Sequence, residues 1–204
     1  MNSENHIDDP IASALLSDST YERLRVRRRS LFKQPLSRKL AWQSLILAAL
    51  AMVLPIALAL PESTRMLFPS GNPLWSTPRI IVIGAYAGAI QVVAALGLVY
   101  VGYKRIRRGA ELTEREARRL LDIEDVASIF SLVTGPFAVA VFDGMFLLGY
   151  GGQDALAMFL AAGGDNPFAV STLPVTVFGV TVTAAVLAVV LFAVSRLFDS
   201  LLPQ

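Results

Sequence analysis

Four stretches of this sequence, about residues 40–60, 80–103, 126–149 and 174–194, are apolar over lengths near or above 20 residues, enough to cross a hydrocarbon layer of roughly 30 Å as a helix. A water-soluble chain of 204 residues does not need 54% hydrophobic residues to fill one core. The expected fold class is therefore an all-α membrane protein. Its four transmembrane helices form two hairpins, joined by a polar arm, Lys104 to Ser128, that is long enough to carry an amphipathic helix of its own. Residues 1–39 read as a tail with a basic amphipathic segment, and residues 40–204 as the four-helix transmembrane domain.

Orientation follows from where the positive charge lies. Of the 18 Lys and Arg residues, all but Arg65 and Arg79 fall in the N-terminal arm, the central arm or the C-terminal tail. By the positive-inside rule both termini and the central arm are cytoplasmic, in a multi-pass protein of the cell membrane. The Ala57, Leu58, Ala59 end of the first run resembles a signal-peptidase site, but the long polar stretch before it and the length of the run favour a retained helix.

Local signals mark the elements. Pro55 removes a hydrogen bond from the first span and is expected to bend its outer third. Thr77 and Pro78 read as a start signal for the second span, and Thr113 with Glu116 as a capping box in the central arm. Glu114 with Arg118 and Arg118 with Asp122 have the spacing of helical ion pairs, so Asp122, Glu124 and Asp125 read as a solvated, charge-balanced face. Gly135 and Pro136 interrupt the third span, freeing the carbonyl of Leu132, with Thr134 as the candidate donor. Asp154 to Ala162, fenced by glycines, is too short to span and is expected as an interfacial or re-entrant helix in the second external loop. Phe68 and Trp75 in the first external loop are expected at headgroup level.

Few positions carry chemistry. The chain has no cysteine, which excludes disulfides, thiolate metal sites and a cysteine nucleophile. The single histidine, His6, lies in the polar tail, and no HExxH, GxSxG or phosphate-cradling glycine loop is present. An enzyme is not expected, nor a cofactor or metal. Asp143 is the only acidic or basic residue well inside a span, so it should be paired, protonated or turned to the bundle. Arg79, at the outer end of the second span, is its expected partner, and Gln91 is the polar group at mid-depth of that span. Gly84 and Gly88 form a GxxxG and predict close helix packing. Arg25, Arg27, Arg28 and Arg29, with Arg105, Arg107 and Arg108, are expected to lie against anionic lipid. A nucleic-acid role for the arginines is not expected, because their place before and after membrane helices already has a topological reason.

These features point to a non-catalytic membrane protein, an accessory, scaffold or assembly subunit. It would act through helix packing and basic arms on a protein partner or a second copy of itself. The alternative is a transporter or channel component in which Asp143 serves as a proton or cation site.

Overall fold

The computed structural model describes residues 19–28, 32–108 and 111–202, and among these the only strand-like pairing is an isolated bridge between Pro78 and Val170. Arg29 and residues 1–18 lie outside the described residues, and with them the expectation for the N-terminal tail. Among the described residues four helices are long and apolar enough to cross a membrane: Leu36–Leu58, Ile81–Arg108, Glu114–Ala161 and Val177–Leu201.

A short helix, α1 (Thr20–Arg27), precedes the first of these. Ser19 stands at its N-cap position without a side-chain capping bond, so packing rather than capping must hold the helix. The first span is split into α2 (Leu36–Ala51) and α3 (Val53–Leu58). The break at Met52 lies three residues before Pro55, whose ring crowds the carbonyl four residues earlier and offers it no N–H. A single turn, α4 (Glu62–Arg65), follows in the first loop.

The second span, α5 (Ile81–Arg108), starts later and ends later than the sequence pattern indicated. Thr77 does not cap it, because the Thr77 carbonyl accepts from the N–H of Ser171, and the N–H groups of Arg79 and Ile80 are taken by the carbonyls of Ala169 and Pro167. Its far end stays helical through Arg105, Arg107 and Arg108, where positive charge suits a helix C-terminus.

The third span begins in the arm itself. α6 (Glu114–Ile129) opens with the Thr113 and Glu116 capping box, in which each side chain bonds the other residue's backbone N–H. It runs without a gap through one π-helical segment, Phe130–Thr134, into α7 (Gly135–Leu148). A 3-10 turn (Gly149–Gly151) then leads to α8 (Gly152–Ala161) in the second loop. Gly152 and Gly163, both at positive φ, bound that helix, and Asp154 lies in its first turn rather than at its cap. The last span is α9 (Val177–Leu201), with the Thr176 hydroxyl accepting from the Gly179 N–H at its start.

α2 and α9 pack side by side, tied at one end by the Ser195 hydroxyl donating to the Ser37 carbonyl and the Ser37 hydroxyl to Asp199. Here Gly102 of α5 meets the Phe198 ring so closely that a side chain would not fit. This end also carries α1 and the connection from α5 to α6, and we refer to it as the arm end. At the other, loop end the two loops close over the bundle. Phe68, Phe146 and Phe168 form an aromatic cluster there, and the Thr64 hydroxyl donates to the Gly149 carbonyl at 2.6 Å. Phe68 is therefore buried, not at a lipid surface, because the loops use it as their shared core. Trp75 remains exposed beside Phe178. Away from the helix contacts the spans show large apolar side chains such as Phe137 and Val189, as a bundle surrounded by lipid tails requires.

Candidate functional site

The charged centre of the structure lies at the arm end; of its two principal residues Lys39 does not stand out in the sequence, and Glu124 reads there as part of an acidic face, a cation or proton site at most. Lys39 belongs to the first turn of α2, on the same stripe as Leu36, Leu40 and Leu47, and that stripe faces inward. Glu124 occupies the matching place on α6, in phase with Ala117, Leu120, Leu121 and Ala127. The two meet with Lys39 Nζ 2.6 Å from Glu124 Oε1, both side chains nearly sealed from solvent. The Tyr21 hydroxyl of α1 donates to the other oxygen of the same carboxylate. Lys39 is thereby joined to α1 and α6 through one acid.

A second layer surrounds this pair. The Arg105 guanidinium stacks over the Tyr21 ring, 4.5 Å from its centre, and pairs with Glu22. Arg28 reaches Asp122 at 2.6 Å and Asp125 at 3.1 Å. Arg25 pairs with Glu22 and donates to the Lys33 and Gln34 carbonyls. Burial raises the Tyr21 hydroxyl well above its ordinary pKa, and the neighbouring Glu124 carboxylate pushes it further. The Asp122 hydrogen bond raises the already high value of Arg28.

The basic residues of the arms thus divide into two sets. Arg25, Arg28 and Arg105 are turned onto carboxylates of the protein, and Arg105 is buried. Arg27 is exposed, Arg107 lies over the Tyr103 ring, and Arg108 pairs with Glu116. α1 docks on α6 through Tyr21 instead of lying flat with a free basic face, and Glu124 is buried instead of solvated. Periodicity held the signal: Glu124 sits on the apolar stripe of its helix, where an acid needs a cation, and Lys39 occupies the corresponding place in α2.

At mid-depth a second polar contact forms around the π-helical segment. In that register the Gly135 N–H donates to the Phe130 carbonyl. The next donor in line would be residue 136, which is proline, so the Ser131 carbonyl has no backbone partner from that position. Gln91 Nε2 of α5 supplies the missing bond at 2.9 Å. The shifted register thus adds the Ser131 carbonyl to those that Pro136 leaves without a backbone donor, and Gln91, not Thr134, serves it. A side chain at Gly135 would collide with the Gln91 amide, so the glycine is what lets the two helices approach.

Asp143 and Arg79 do not come together. Arg79, held by its backbone against the loop at Ala169, pairs with the exposed Asp165 at 3.4 Å. Asp143 is partly buried, and its Oδ1 has no hydrogen-bond partner among the described residues. Its neighbour Phe142 takes the face toward α5, where a Cβ added at Gly84 would lie 2.7 Å from the ring. Gly84 therefore packs within the chain. Gly88 is looser, and both glycines line an open apolar groove of about 370 Å³ between α5 and α9.

The chain matches no protein-family model, no curated protein and no solved structure.

Proposed function

We propose that this is a non-catalytic polytopic protein of the cell membrane, an accessory, scaffold or assembly subunit with both termini in the cytoplasm. The observation that carries this reading is the pairing at the arm end: the buried cations Lys39 and Arg105 are each bound to a carboxylate of another helix. These buried cations fix helices to one another, while small-residue and apolar grooves stay open on the flanks of the bundle. The cytoplasmic placement of the arms rests on their share of the Lys and Arg residues.

The alternative reading, a transporter or channel component, draws support from one observation, the unpartnered Oδ1 of Asp143. Reconstitution of wild type and Asp143→Asn in liposomes separates the two. The scaffold reading expects no proton or cation flux from either under an imposed potential, whereas flux in the wild type that disappears in the variant would make Asp143 a coupling site. Orientation is tested in cells. With no native cysteine in the chain, single cysteines at Ser70 and Glu111 should label from opposite sides, and labelling from the same side would overturn the topology.

A further inference from the structure

The flank between α5 and α6 carries an apolar groove of about 670 Å³, within the roughly 300–1,000 Å³ range of ligand pockets. Gly97 and Ala127 form its narrow floor, with 3.4 Å between the Ala127 methyl and a Cβ added at Gly97. Tyr86, Val93, Val126 and Phe130, all exposed, form its walls. Along α6 the groove runs from Asp122 at the arm to Phe130, next to the mid-depth residue Ser131, eight residues or about 12 Å, and along α5 it reaches past Gln91 to Tyr86. Most of it therefore lies within one half of a hydrocarbon layer of roughly 30 Å. A transmembrane helix would need the whole depth, but one acyl chain of one leaflet needs only half.

The arm end of this groove is marked by charge. Asp122 closes the groove and is bound by Arg28, and Arg28 in turn lines a second hollow of about 260 Å³ together with Arg27, Arg118, Leu24 and Leu121. Arg28 is already answered by Asp122 and Asp125. Arg27 pairs with no carboxylate among the described residues, and Arg118 has only Glu114 of its own exposed helix face. Arg27, unanswered, and Arg118, shared with Glu114, therefore stand beside two leucines in a hollow that the Arg28 and Asp122 pair joins to the arm end of the groove, where the headgroup layer would lie.

We propose that this composite site binds one anionic phospholipid, its phosphate at Arg27 and Arg118 and one acyl chain along the α5 and α6 groove. Guanidinium forks match phosphate oxygens in paired hydrogen bonds, and the leucines accommodate the glycerol end of the chains. The site is independent of the scaffold reading, since a transporter could carry it equally well. It makes α1, which supplies Arg27 and is held to the bundle by Tyr21, part of a lipid seat.

The test is native mass spectrometry of the full-length protein in neutral detergent, titrated with phosphatidylglycerol or with phosphatidylcholine of the same chains. One phosphatidylglycerol should be retained with about tenfold preference. Arg27→Gln with Arg118→Gln should abolish the preference, and Val93→Trp, which fills the groove from an exposed position, should weaken retention of that lipid. Arg115→Gln with Arg119→Gln removes the same charge from outside the hollow and should leave the preference intact. Equal retention of both lipids by the wild type would overturn the proposal. So would a loss as large in the Arg115 and Arg119 variant, which would mean diffuse surface charge, or no effect of Val93→Trp, which would mean that no chain is seated.

Discussion

Lys39 Nζ and Glu124 Oε1 meet at 2.6 Å with the Tyr21 hydroxyl on the same carboxylate, so one acid carries two partners from two other helices. Such a pair is costly to desolvate, and its net worth against an apolar replacement is small. Its half is another matter. Removing Lys39 leaves Glu124 charged, buried and held only by Tyr21, a loss of about 3–5 kcal/mol. Lys39→Met should lower the thermal midpoint in detergent sharply, and adding Glu124→Gln to it should recover a large part of the loss. If Lys39→Met alone is neutral, the pair is not buried as described.

The Gln91 to Ser131 bond gives a cycle with a clear sign. Gln91→Leu should cost about 1–3 kcal/mol, because it strands a buried carbonyl. Pro136→Ala supplies a backbone N–H two residues past the π-helical segment, so the chain can satisfy Ser131 by itself. In the Pro136→Ala background the cost of Gln91→Leu should therefore shrink, as read by thermal unfolding of all four proteins. Strict additivity would show that proline and glutamine are not linked.

How much of this was open to a reader of the sequence depends on whether the physical cause was local. The spans, the capping box at Thr113 and the short helix near Asp154 arise from composition and near-neighbour bonding, and they stand close to where the pattern put them. The register shift at Phe130–Thr134 was legible only as a disturbance at Gly135 and Pro136. Which carbonyl loses its partner depends on α5 packing against it, and that is a tertiary fact. The arm-end cluster was hidden for a different reason. Positive charge beside a span has a sufficient topological explanation, which masks the inward phase of Lys39, and flanking arginines give Glu124 the look of a solvated acid. Asp143 is conspicuous in the sequence as a lone charge in a span, yet Arg79 pairs with Asp165 instead, and no described residue bonds the Asp143 Oδ1.

Gln43 follows Lys39 by one turn on the buried face of α2, is fully enclosed, and finds no hydrogen-bond partner among the described residues for either polar atom of its amide. A buried amide without partners costs about 1–3 kcal/mol, and leucine has a similar shape without that cost. Gln43→Leu should raise the thermal midpoint. A fall instead would mean that the amide holds a buried water between the helices.

Tyr21 sets the alkaline limit of the docked α1 helix. Its folded-state pKa is raised, by burial first and by the Glu124 carboxylate second, above the value of about 10 for an unfolded chain. Below that pH both states keep the proton and the contribution of Tyr21 is fully present. As pH rises through 10 the unfolded chain releases the proton and the folded one does not, so stability falls and continues to fall toward the raised pKa. The expected observation is a thermal midpoint that declines above about pH 10 in the wild type, by more than in Tyr21→Phe. That variant loses the hydrogen bond to Glu124 at every pH, so its midpoint should begin lower near neutrality and the two curves should converge as the pH rises. Parallel curves would place Tyr21 in water, with α1 detached from the Lys39 and Glu124 pair.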